Sequence, residues 1–185
     1  MGRQEQTNHL FSNRDLRILL VPLIVEQILN SLMGTADSIM VSNVGSAAIS
    51  AVSLVDSINI LVIQAFYALA AGGTIVCSQY IGQKDKKNAE ESARQLSFVV
   101  ACISSAVMAV CLLTRGPLLR LIFGSVEADV MEAAQIYFFY TVLSFPFIAL
   151  YDAGSSIYRA QGNTRLPMTI AVVSNGLNIA GNAVL

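Results

Sequence analysis

The sequence predicts an all-α membrane protein of about five transmembrane helices. Three observations carry that reading. The first is composition: of 185 residues, 55% are hydrophobic and only 12% charged, about half the charge of an ordinary soluble domain, which carries about 25%. The second is the clumping of the charges. No Asp, Glu, Lys or Arg occurs from Ser57 to Ile81, from Gln95 to Thr114 or from Leu166 to Leu185, runs of 25, 20 and 20 residues. A spanning helix needs about 20 predominantly apolar residues, and three such runs in so short a chain argue against buried helices of a soluble core. The third is punctuation: the apolar stretches are separated by short polar links carrying Gly, Asn or Pro.

The elements follow in order. Residues 1–15 are polar and form a cytoplasmic tail. The segment 16–41 is too long for a signal peptide's apolar region, so it is read as the first helix. "SNVGSAA" leads through Gly45 into a second segment, 48–81, long enough to tilt. "GQKDKKNAEESAR" follows, with Gly82 as the expected stop. The third segment is 95–114. "RGPLLRLIFGSVEADV" then joins it to the fourth, 134–158, and is expected to hold a short surface helix. "RAQGNTRLP" leads to the fifth, 166–185: Gly162 suits the position after a helix end, Asn163 or Thr164 can cap, and Pro167 falls in the first turn. Cys77, Cys102 and Cys111 are odd in number and lie in apolar runs, so they read as packing residues rather than a disulfide framework.

Nine of the eleven basic residues fall on one side of this arrangement, in the tail and the second and fourth links; Arg115 and Arg120 fall on the other. Basic residues in short loops stay in the cytoplasm. The N-terminus is therefore placed inside, in a multi-pass inner-membrane topology with the lipid bilayer as the chain's first partner. The net charge of −1 says nothing about nucleic acid, and none is expected as a partner. "NIAGNAVL" ends the chain without a polar flank, and an N-terminal piece of a longer protein is expected, with a C-terminal half of the same protein as its partner.

Four carboxylates lie within apolar segments: Glu26, Asp37, Asp56 and Asp152. A charge at the bilayer centre costs roughly 2.5–3.5 kcal/mol on insertion scales, so such groups face a bundle interior or a wet cavity. Asp56, near the start of its segment, also fits an interfacial position, and Asp152 lies two turns from Arg159. At 100° per residue Glu26, Asn30 and Asp37 fall within about 40° of one another. Asn175, Asn178 and Asn182 share a face within about 60°, and Tyr140, Ser144, Tyr151 and Ser155 share another. Three polar faces predict a common cavity lined by Glu26, Asn30, Asn175, Tyr140 and Tyr151. Every Lys and Arg lies at a loop or helix end, so that cavity is expected to lack basic side chains. Pro22 and Pro146 each free a backbone carbonyl and permit a bend.

These residues also resemble a known family. "PLIVEQILNSLMGTADSIMVSNVGSAAISAVSL" resembles the first helix and outer loop of the multidrug and toxic compound extrusion (MATE) transporters. "ALAAGGTIVCSQYIGQKDKKNA" resembles their second helix and first cytoplasmic loop, and "YRAQGNTRLPMTIAVVSNGLNI" their link between the fourth and fifth helices. The resemblance runs from about Leu10 to Leu185. It implies five helices of the first of two six-helix lobes around a central cavity. It implies antiport rather than enzymatic chemistry: cationic, amphipathic drugs leave in exchange for H⁺ or Na⁺, with no cofactor beyond the coupling ion. Asp37 aligns with the family's first-helix aspartate, the usual coupling residue, and Asn178 with a fifth-helix amide near the cation site of one branch. Where that branch has a second aspartate this chain has Asn182. A Na⁺ site at Asp37, Asn178 and Asn182 would thus hold one carboxylate, which leaves H⁺ open. A flippase for lipid-linked saccharides, with a similar two-lobed build, is the alternative, as is a non-transporting fragment. An intramembrane aspartyl protease would need a second aspartate in a Gly-x-Gly-Asp setting, which the chain lacks.

Overall fold

The computed structural model describes residues 13–42, 45–124 and 126–184, with the side chains of 36–38, 40–42 and 182–184 outside the description. Five helices follow in order: α1 Asn13–Ser42, α2 Ser46–Gly82, α3 Lys86–Phe123, α4 Ala128–Ala160 and α5 Arg165–Val184. The first four are long and apolar enough to cross a membrane. The shorter α5 does not reach that mark among the described residues; its 20 residues include Arg165 and three asparagines.

Local chemistry sets the ends. Gly45 precedes α2 at φ 133°, a region that favours glycine. Asp85 caps α3: its side chain accepts from the Asn88 backbone N–H at 3.2 Å and from Asn88 Nδ2 at 2.7 Å. Asn163 accepts from the Leu166 N–H at 3.3 Å at the start of α5, and Gly162 adopts φ 77° after α4, both as the sequence predicts. α2 ends at Gly82, as the sequence predicts, and the left-handed residue of the turn that follows is Lys84, at φ 59°. One expectation is corrected. Among the described residues no separate surface helix follows the third segment; α3 continues to Phe123 with Pro117 inside it. Its capacity to do so is physical: Pro117 removes one internal hydrogen bond, and the apolar residues beyond it, such as buried Leu119, still find the bundle. At 1.5 Å per residue, α2 and α3 are each about 55 Å long, beyond a hydrocarbon core of about 30 Å.

Helices α2, α3 and α4 pack as a bundle, and α1 pairs with α5 beside it. The bundle face of α4 is a stripe of Ala134, Phe138, Val142, Phe145, Ala149 and Ala153, all at most 1% exposed. Their spacing of three or four residues is the helical repeat. Small residues on the partner face, Ala51 and Ala70 of α2, let the backbones approach. Phe66 meets Phe145 edge to face, with ring centroids 5.8 Å apart. A Cβ on Gly73 would collide with the buried Leu96 of α3. The outer faces carry Leu61, Leu113, Leu121 and Phe147, all exposed, as lipid-facing surfaces do.

Candidate functional site

The polar side chains gather where the bundle meets the α1/α5 pair. Glu26 lies on α1, one turn beyond Pro22, and its side chain is 7% exposed. Arg159, in the last turn of α4, reaches it: Nη1 donates to Oε1 at 3.1 Å and to Oε2 at 3.2 Å. The Tyr151 hydroxyl donates to Glu26 Oε1 at 3.4 Å. Among the described residues α1 and α4 do not pack backbone on backbone. The ion pair therefore spans a gap, and that gap is a cavity of about 630 Å³. Leu20, Leu23, Ile24 and Ile63 form its apolar wall, and Gln27, Asn30, Gln64, Tyr67, Tyr151 and Asp152 add polar groups.

Asp152 faces the same space. Its Oδ2 is buried without a hydrogen-bond partner, a condition that calls for a proton, a water or a cation. The direct ion pair of Arg159 is with Glu26 rather than with the nearer-in-sequence Asp152. The expectation of a cavity without basic side chains is also corrected. A helix-end arginine extends its long stem into the protein while its Cα stays at the end, which sequence position alone does not reveal.

A second polar cluster joins α2 to α4. Tyr137 OH donates to Asp56 Oδ1 at 3.1 Å, Asn59 Nδ2 donates to the same oxygen at 3.3 Å, and Thr141 Oγ1 donates to Asn59 Oδ1 at 3.5 Å. Asp56 is therefore hydrogen-bonded across the α2–α4 contact. The sequence signal was present: Asp56 and Asn59 stand three apart, on one face.

Of the residues expected to line a common cavity, Glu26, Asn30 and Tyr151 do so. Asn175 is buried but donates to its own helix, Nδ2 to Ala171 O at 2.8 Å. Tyr140 is 66% exposed and stacks edge to face on Phe139. Asn178 is half-buried. Asp37 and Asn182 lie on α1 and α5, and their side chains fall outside the described residues. Asp152 faces the cavity as an intramembrane carboxylate is expected to, while Arg159, Gln64 and Tyr67 were not expected there.

The proline of α1 is tied to the same region. Pro22 has no N–H, so the carbonyl four residues back, that of Ile18, loses its helical partner. Thr164 Oγ1, in the α4–α5 turn, donates to that carbonyl at 3.4 Å.

The MatE family model matches residues 22–184. The uncharacterized transporter YisQ of Bacillus subtilis is 34% identical over 182 residues, 98% of this chain and 38% of the relative. A probable multidrug resistance protein NorM of Thermotoga maritima is 26% identical, over 90% of this chain and 35% of the relative. In fold, the chain is similar to a MOP superfamily transporter from Pyrococcus furiosus, with TM-score 0.84, 23% identity, and coverage of 91% of this chain and 37% of that one. The chain thus spans under two-fifths of the length of the relatives it matches.

Proposed function

This chain belongs to the MatE family, and from that premise we propose that the protein is a secondary active antiporter that exports cationic amphipathic drugs or toxins in exchange for H⁺ or Na⁺. The observation that carries the reading is the cavity between α1, α2 and α4. Its volume of about 630 Å³ lies within the roughly 300–1,000 Å³ of small-molecule sites. It combines an apolar wall with two carboxylates against one guanidinium, a balance that favours a cation with an apolar body.

Asp37 is the proposed coupling residue, with Asn178 and Asn182 as its partners for a hard cation. Neutralising it would favour a different bend of α1 at Pro22; a ligand moves such an equilibrium only by its differential affinity for the two states. On this reading a second lobe completes the pathway, and the inner membrane is its place, with the N-terminus in the cytoplasm. The saccharide-flippase alternative needs free cations to meet phosphates. The cavity's one basic side chain, Arg159, is engaged by Glu26, which favours drug export.

The test uses the protein expressed from its own reading frame in a pump-deficient host and in proteoliposomes. Cells should accumulate less ethidium. Asp37→Asn should insert normally and lose efflux driven by an imposed pH or Na⁺ gradient, and Asn182→Asp should shift preference toward Na⁺. Efflux by Asp37→Asn at the parent rate under both gradients would exclude the coupling role.

A further inference from the structure

Cavity charge carries a sharper statement about the ligand. Glu26 and Asp152 bring two carboxylates, and Arg159 brings one guanidinium. The guanidinium is committed: a single nitrogen, Nη1, bridges both Glu26 oxygens. One carboxylate is left over, and its Oδ2 is buried without a donor. Tyr67 and Tyr151 also line the cavity, and aromatic rings attract organic cations. Glu26 stands eleven residues before Asp37, about 16 Å along α1, so this charge balance is separate from the proposed coupling site.

We propose that the cavity between α1, α2 and α4 takes a ligand carrying one positive charge, and that Arg159 sets that number by cancelling Glu26 and leaving Asp152 for the ligand. The inference rests on the export reading and names its substrate class: monocations in preference to dications. Among the described residues, the titratable and charged groups facing the space are Glu26, Tyr67, Tyr151, Asp152 and Arg159.

The experiment compares two dyes with the same ring system, ethidium with one charge and propidium with two. Binding is read by fluorescence on the full-length protein in phosphatidylcholine nanodiscs. The parent should bind ethidium more tightly. Asp152→Asn makes the cavity neutral and should weaken ethidium binding about tenfold, the order expected of one unit charge roughly 10 Å away at an effective dielectric of about 20. Arg159→Gln makes it doubly negative and should move the preference to propidium. The double variant Glu26→Gln/Arg159→Gln restores a single negative charge and should restore the parent's preference. Asp152→Asn keeps the Glu26–Arg159 pair intact and the double variant removes both of its members, so these two decide the matter if Arg159→Gln fails to fold.

A dye preference that ignores these charge counts, or a parent that binds propidium as tightly as ethidium, overturns the inference. If cells still export ethidium in that case, the export reading stands without it. A parent that neither binds nor exports either dye overturns both.

Discussion

The bundle of α2, α3 and α4 and the pair of α1 and α5 are held by different means. The bundle face of α4 is a row of alanines, valines and phenylalanines at most 1% exposed. On α1, the only buried side chains among those described are Pro22 and Glu26. Lipid tails are as apolar as leucine, so association in a membrane depends on close packing and on polar contacts. The bundle uses the first. The α1 side relies heavily on the second: Glu26 with Arg159 and Tyr151, and the Ile18 carbonyl with Thr164. One region is fixed by shape, and the other is attached by groups that a proton or cation can compete for.

The largest test of that contrast truncates one large side chain in each region. Phe138→Ala should lose about 3–5 kcal/mol, read by reversible unfolding in mixed micelles, because Phe138 is 0% exposed in the bundle. Leu177→Ala on α5, at 69% exposure, should stay within about 0.5 kcal/mol of the parent. Similar losses at both sites would erase the distinction. A smaller effect comes from glycine. Gly73→Ala places a methyl against Leu96 and should cost about 1–3 kcal/mol. Gly176→Ala on α5 meets open space and should gain up to about 1 kcal/mol. The smallest effect sharpens the polar half of the comparison. Thr164→Val keeps the shape and removes the donor to Ile18 O, for a loss of about 1 kcal/mol. Amide exchange should quicken around Ile18 while the α2–α4 bundle is unchanged. Exchange quickening in the bundle instead would mean that α1 is not attached through this contact.

Much of this was legible in the sequence. Charge-free runs located α2, α3 and α5, and the 100° step put Glu26 and Asn30 on one face, where the cavity lies. The rest depended on facts that periodicity does not hold. Arg159 stands at a helix end in the sequence, yet its stem carries the charge inward to a partner 133 residues away. Asn175 and Tyr151 look alike as polar residues on a shared face. One satisfies its own helix backbone, an option open to any short polar side chain, while the other meets Glu26. Tyr140 and Tyr151 share a face by arithmetic, but Pro146 lies between them in α4, and the cavity occupies only part of the helix's length.

The Glu26–Arg159 pair also has a consequence for how the chain is made. Glu26 is synthesised 133 residues before its counter-ion. At about 5–20 residues per second that interval is roughly 7–27 s. For that time α1 carries a carboxylate without Arg159, the partner it has in the folded chain. During synthesis α1 must therefore hold Glu26 as a neutral acid, keep it near the lipid–water boundary, or shelter beside the insertion machinery. Arg159 becomes available only when the end of α4 emerges, so the helix that is translated first gains this contact late.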